Sequence, residues 1–211
     1  MNVKVVAETN EATVVGHWEP LPRNSEAYQT EKELEEEFVR TLTEQGYEFL
    51  PIRDEKGLIE NLRKQLEALN GITFSDDEWE LFFRENIAND NLDAVAKTGT
   101  IQEDSVKILQ RDDGTTKNIR LIERRDIHKN KLQVIRQFEF PTEDGKRGNR
   151  SDVTVLVNGF PLVHIELKRR GVALREAFNQ IGRYERESFR AGKRLFEYVQ
   201  IYVISNGSDT K

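Results

Sequence analysis

Apolar residues recur along this chain with two periods, one helical and one extended, and the switches between them divide it into elements. Residues 1–25 keep neither period and contain Pro20 and Pro22, so they read as an arm or an extra strand. Over residues 31–45, Leu34, Phe38 and Leu42 recur at four-residue spacing and Gly46 follows, which predicts a helix with one buried face. Residues 47–52 are a short strand candidate ended near Pro51. A second amphipathic helix is predicted over 58–69, striped by Leu58, Leu62, Leu66 and Leu69. Ser75 caps a third, whose acidic first turn Asp76-Asp77-Glu78 suits the positive end of the helix dipole. Trp79, Leu81 and Phe82 should enter the core from it.

Residues 86–110 fit no template. Strands are predicted at 119–122 and 132–140, then a polar loop at 141–149 containing Asp144-Gly145. A helix at 173–189 and a buried strand at 198–204 close the chain. Strands interleaved with helices define an α/β domain built on a mixed central sheet flanked by helices.

The segment from Arg150 to Lys168 is the most informative, because charged groups stand at the ends of otherwise apolar strands. Asn158-Gly159 is a strong two-residue hairpin signal and would pair Val157 with Phe160. That register sets Ser151 against Glu166 and sends Asp152 to the opposite face. Shifting by one residue sets Asp152 against Glu166, Thr154 against His164 and Leu156 against Leu162. The opposite face then holds only Val153, Val155, Val157, Pro161, Val163 and Ile165. The shifted register separates the faces better, so an odd-length loop or a bulge after Val157 is expected.

Lys168 lies two residues beyond Glu166 and therefore shares its face. Two carboxylates, a lysine and the backbone carbonyl of Leu167 could bind a divalent cation through oxygen and hydrolyse a phosphodiester. Asp152 and Glu166 would hold the ion. Lys168 would orient or deprotonate the attacking water, or offset charge on the phosphate. An amphipathic hairpin with a charged solvent face is the ordinary alternative. Gln180 and Tyr184, four residues apart on the last helix, could bind a nucleic-acid backbone or brace the site. A tyrosine buried for packing is the competing explanation.

Composition narrows the classes. The chain has 211 residues and no cysteine, which removes disulfides and thiolate metal sites. No apolar run approaches membrane-spanning length, so a soluble, cytoplasmic protein without a membrane partner is expected. A net charge of −6 argues against a protein that coats nucleic acid generally. The charge is nevertheless uneven. Acid concentrates at 31–37 and 75–80, and base at Lys146, Arg147, Arg150, Lys168, Arg169 and Arg170, then Arg183, Arg186, Arg190, Lys193 and Arg194. That asymmetry suits a phosphate-facing surface, as it also suits solvated helix faces.

Asp152, the hairpin, Glu166-Leu167-Lys168 and Gln180-Ile181-Gly182-Arg183-Tyr184 together resemble the restriction-endonuclease-like nucleases, particularly their RecB-type branch. More closely, the chain resembles the N-terminal nuclease domain of the R (HsdR) subunit of type I restriction-modification enzymes. Glu33 to Phe38, Asn61 to Asn70, Phe74 to Trp79, Gln137-Phe138, Arg150 to Asp152 and Gly159 to Lys168 carry that likeness. The resemblance spans roughly residues 30–207 and implies a restriction-endonuclease-like core, so a nuclease domain over residues 29–211 is expected behind an arm at 1–28. It also implies a Mg2+-dependent endonuclease acting on double-stranded DNA beside methyltransferase (M) and specificity (S) subunits. In it, Asp152, Glu166 and Lys168 match the catalytic triplet and Gln180 and Tyr184 the helix motif. Arg169 and Arg170 would face DNA, and a first-helix acid, Glu37 or Glu33, would complete the site.

Such subunits carry an ATP-driven translocase, yet no Gly-x4-Gly-Lys-Ser/Thr loop occurs here. A fragment of a larger subunit is expected, with ATP bound only by motor domains outside it. Two alternatives remain: a non-catalytic DNA-clamping or subunit-docking module, and a stand-alone repair nuclease on the same fold.

Overall fold

A computed structural model describes residues 3–8, 13–18, 30–140, 150–169, 172, 175 and 195–211. The centre is a five-stranded mixed sheet. Its strands are β3 (Glu48–Phe49), β6 (Leu132–Arg136), β7 (Val153–Val157), β8 (Phe160–Leu167) and β9 (Ile201–Ser205), neighbouring one another in that order. β7 is antiparallel to both neighbours, whereas the outer pairs β3–β6 and β8–β9 are parallel. The arm region contains an antiparallel pair, β1 (Val3–Glu8) and β2 (Thr13–Trp18), where one extra strand was the alternative expectation.

Helix α1 (Glu31–Glu44) begins with a reciprocal cap in which Thr30 Oγ1 accepts from the Glu33 amide and Glu33 Oε2 accepts from the Thr30 amide. Its stripe of Leu34, Phe38, Val39 and Leu42 packs on Val134, Val153, Val155, Ile165 and Leu167 of the sheet. That is the uniformly apolar face predicted for the shifted hairpin register.

The other face supports the larger core. Helix α2 (Glu55–Asn70) is capped by Asp54, whose Oδ1 accepts from the Gly57 amide at 2.8 Å, and ends at Gly71 in the left-handed region (φ 58°). It buries Leu58, Leu62 and Leu66 completely, each contributing roughly 2–3 kcal/mol of transfer free energy. Helix α3 (Asp76–Phe82) carries the predicted Ser75 cap and joins Phe74, Trp79, Phe82 and Phe83 in an aromatic cluster. Leu81 is only half-buried, and Phe83 takes the expected inward place as the helix loosens into a single π-helical stretch, Phe83–Ile87.

The stretch without a template contains α4 (Ala94–Gln102) and β4 (Val106–Gln110), which pairs with β5 (Thr116–Arg120) in a separate hairpin. Lys97 of α4 is 1% exposed and pairs with Glu197, a contact no local pattern announces. β6 is shorter than expected because Gln137 adopts φ 56° and breaks the extended run. β9 starts later because Phe196–Tyr198 form a 3-10 turn, where the buried Tyr198 hydroxyl donates to the Ile87 carbonyl at 2.9 Å. The helix predicted at 173–189 lies almost wholly outside the described residues.

The β7–β8 hairpin satisfies both competing signals. Asn158 (φ 50°) and Gly159 (φ 85°) form a two-residue turn closed by Val157 and Phe160, which corrects the expected odd-length loop. The register change comes instead from a bulge. Val155 pairs with Val163 but Leu156 pairs with Pro161, leaving Leu162 as the extra residue and overturning the Leu156–Leu162 pair. Pro161 has no N–H to give the ladder, which explains why pairing yields beside it. Beyond the bulge, Thr154 faces His164 and Val153 faces Ile165, as the shifted register requires.

Candidate active site

Extending the Val153–Ile165 and Thr154–His164 pairs by one step sets Asp152 across from Glu166 at the open end of the hairpin. Asp152 Oδ2 accepts the Leu167 amide at 2.7 Å, a cross-strand bond that fixes the carboxylate beside Glu166. Its own backbone is held from the other side, since the Gln137 amide donates to the Asp152 carbonyl at 2.9 Å. The left-handed turn of Gln137 thus serves the site as well as ending β6.

Glu166 is fully buried. Its Oε1 lies 3.0 Å from His164 Nε2, Oε2 makes no well-formed hydrogen bond among the described residues, and the backbone and carboxyl of Asp152 both act on the group. Burial, reinforced by the neighbouring Glu166 carboxylate, pushes Asp152 up to about 7. Burial likewise pushes Glu166 up to about 7, against the opposing pull of the Lys168 ammonium. The pair therefore titrates as a coupled unit near neutral pH. Burial drives His164 the other way, down to about 4, so its imidazole is neutral there.

Lys168 is half-buried and continues the parallel pairing, its amide donating to the Ser205 carbonyl at 2.8 Å. The Leu167 side chain packs into the α1-facing core. Arg169 is exposed, with its amide 3.4 Å from Glu31 Oε1. Arg170, Gln180 and Tyr184 lie outside the described residues.

Of the two acids that α1 brings to this end, Glu31 acts on Glu166 from beside the Arg169 amide, and the more buried one is Glu35. It is buried, its Oε2 accepts from Gln137 Nε2 at 3.2 Å, and Arg136 Nη1 stands 3.5 Å from its Oε1. Burial raises its pKa, and the Asp152 charge raises it further, which marks the two carboxyl groups as neighbours. Glu33 is exposed and spent on the helix cap, and Glu37 is also exposed. The first-helix candidates Glu33 and Glu37 are thus exposed, whereas Glu35 is the buried acid whose shift Asp152 reinforces. Glu35 precedes the buried Val39 by four residues, a helical spacing that would have identified it.

Among the described residues no group of three or more His, Cys, Asp or Glu side chains could by itself hold a metal ion. The donor set still fits a hard divalent cation. Mg2+ commonly takes only one or two protein carboxylates and keeps waters for the rest. A fully buried and a half-buried carboxyl side by side, one with an oxygen that makes no well-formed hydrogen bond among the described residues, are costly unless a cation or a proton sits with them.

A mixed five-stranded sheet flanked by helices, with an Asp and a Glu-x-Lys on adjacent strands, defines a restriction-endonuclease-like core. The chain belongs to the family described as the type I restriction enzyme R protein N terminus, whose model matches residues 28–211. It is 46% identical over 209 residues to the type I restriction enzyme EcoprrI endonuclease subunit of Escherichia coli, covering 99% of this chain and 66% of that protein. It is 37% identical over 189 residues to the SsaAORF53P endonuclease subunit of Staphylococcus saprophyticus, covering 87% of this chain and 19% of that one. A putative type I endonuclease subunit of Methanocaldococcus jannaschii, MjaIXP, is 33% identical over 100 residues. The chain thus spans 66% of the first of these relatives and 19% of the second. No helix among the described residues is long and apolar enough to cross a membrane.

Proposed function

We propose that residues 29–211 are the Mg2+-dependent endonuclease domain of a cytoplasmic type I restriction enzyme R subunit. The domain hydrolyses phosphodiester bonds of double-stranded DNA, in a complex with M and S subunits. DNA is delivered by ATP-driven translocation, performed by parts of the subunit beyond this chain. One observation carries the proposal: the half-buried Asp152 and the fully buried Glu166 act directly on each other at the hairpin end, and among the described residues Glu166 Oε2 makes no well-formed hydrogen bond.

Asp152 and Glu166 would hold the cation, with the Leu167 carbonyl as a third oxygen ligand. A bound divalent ion supplies Lewis-acid polarisation of the phosphate and acidifies a ligated water. Lys168 orients the attacking water and offsets the charge that builds on the phosphate oxygens. The water oxygen bonds to phosphorus, the bond to one ester oxygen breaks, and that oxygen leaves with a proton. Glu35 adds negative field beside Asp152 and, through Gln137, ties α1 to the site. Arg169, Arg170, Gln180 and Tyr184 bind the DNA backbone or brace these groups.

The test is plasmid cleavage by the intact complex with Mg2+ and ATP, comparing wild type with Asp152→Ala and Lys168→Ala. Cutting should disappear in both while translocation continues. Unimpaired cutting by both variants would refute the assignment and leave a DNA-clamping or docking role.

A further inference from the structure

Glu166 has a buried neighbour that none of these roles uses. His164 is fully buried on β8, two residues before Glu166 and on the same face. Its Nε2 lies 3.0 Å from Glu166 Oε1, and its Nδ1 lies 3.5 Å from Thr154 Oγ1. Thr154 is its cross-strand partner on β7, and Tyr202 is its partner on β9, with the two rings edge to face at 6.1 Å between centroids. The imidazole is therefore gripped from both neighbouring strands and has little freedom to turn.

We propose that His164 is a positioning residue that fixes the Glu166 carboxylate for a divalent cation, donating from Nε2 to Oε1, while Thr154 holds the other ring nitrogen. This rests on the metal-site reading above and deepens it. A glutamate's terminal torsion is soft and roughly two-fold, so the side chain alone does not choose which oxygen serves as ligand. A donor fixed against Oε1 makes that choice and sets the plane of the carboxylate. Oε2, which makes no well-formed hydrogen bond among the described residues, is left for the ion. An ionised carboxylate accepts only, so with the cation bound the imidazole must carry its proton on Nε2. Nδ1 is then an acceptor, and the Thr154 hydroxyl is the group placed to donate to it. Tautomer and ring orientation are thereby set by the sheet register itself, because Thr154 and His164 are directly paired.

An apolar residue would fill this interior strand position without any hydrogen-bonding requirement. A histidine whose ring nitrogens meet Glu166 and Thr154 is explained by what it does to the carboxylate. Lys168 contributes from the same face two residues on, so both ring and ammonium act on Glu166 from its own strand.

The experiment is Mn2+ binding to the intact, nucleotide-free R subunit, followed by the electron paramagnetic resonance signal of the free ion. Asp152→Ala identifies the component that belongs to this site. In that component His164→Leu should weaken Mn2+ binding about 10–100-fold, the usual effect of removing a group that orients a ligand. His164→Gln keeps an N–H donor near the Nε2 position and should recover most of the loss. Thr154→Val, which removes only the hydroxyl, should shift affinity in the same direction by less, and it guards against misfolding of the Leu variant. Cutting by the whole complex should show the same split: more Mg2+ for half-maximal rate, with a rate near wild type at saturation. Wild-type affinity in His164→Leu and Thr154→Val, beside loss of the component in Asp152→Ala, would overturn the inference alone. If Asp152→Ala removes no bound Mn2+, the metal-site reading falls, and the inference falls with it.

Discussion

Replacing Asp152 by asparagine should stabilise the metal-free protein at alkaline pH while abolishing cleavage. The change is nearly isosteric, and the amide oxygen can still accept the Leu167 N–H that Asp152 Oδ2 now accepts at 2.7 Å. What it removes is the charge. Asp152 is shifted from its ordinary 3.8 to about 7 by burial and by Glu166, which sets a ceiling of about 4 kcal/mol on the cost of ionising it in the fold. Glu166 shares that cost and Lys168 opposes it, so about half, roughly 2 kcal/mol, is the expected gain at pH 8. A raised carboxyl pKa means the folded state binds more protons than the unfolded chain between pH 4 and 7. Wild-type stability therefore falls as pH rises through that window, whereas below pH 4 both states are protonated and the loss is absent. Thermal unfolding of the 211-residue chain in chelator, for wild type and Asp152→Asn from pH 4 to 8, measures the difference. The variant's midpoint should match wild type near pH 4 and exceed it by about 4–8 °C at pH 8. Adding Mn2+ should raise the wild-type midpoint and leave the variant's almost unmoved. Equal midpoints at every pH, or a variant less stable at pH 8, would refute the claim that these carboxyls are held against their preference.

Three further outcomes follow from the geometry. Lys168→Ala should abolish DNA cutting yet keep Mn2+ binding within a few-fold, as calorimetry would show, because the lysine acts on water and phosphate without holding the ion. Glu35→Gln should lower the cleavage rate at limiting Mg2+, whereas the exposed Glu37→Gln should match wild type, which separates the two first-helix candidates in one assay. Gly159→Ala should destabilise the fold by at least about 2 kcal/mol in urea unfolding, since a Cβ there would stand 2.7 Å from the Leu62 Cα in a left-handed backbone.

What could be read from the chain beforehand was local. The cap at Ser75 and the leucine stripe of α2 depend on neighbours three or four residues away, and the pattern carries that information intact. The pairing of Asp152 with Glu166 was legible for a similar reason: face segregation needs only the two strands. The rest is long-range, except at Glu35. Nothing near Lys97 says that Glu197 will bury it, so α4 looked patternless. Glu35 is a local case: Glu37 adjoins the apolar Phe38, yet the helix turns Glu35 inward. The place of the bulge depends on Pro161, and the tightness of the turn on how closely Gly159 approaches α2.

The hairpin reconciles a turn and a site that demand different registers. At one end Asn158 is locked in place: its Oδ1 accepts the Lys131 amide, and its Nδ2 donates to the Leu121 carbonyl and to Asn130 Oδ1. Gly159 lies flat against Leu62, so no longer loop fits there. A two-residue turn propagated regularly from that anchor would put Ser151 opposite Glu166 and turn Asp152 onto the α1 face among valines. At the other end the proposed metal site needs both carboxyls on one face. The single surplus residue Leu162 satisfies both, and it does so where Pro161 has already interrupted the ladder. The bulge thus transmits the rigidity of the anchored turn to Asp152 and Glu166 while changing which faces meet. This is why a strong Asn-Gly signal and the register it seemed to forbid occur in the same pair of strands.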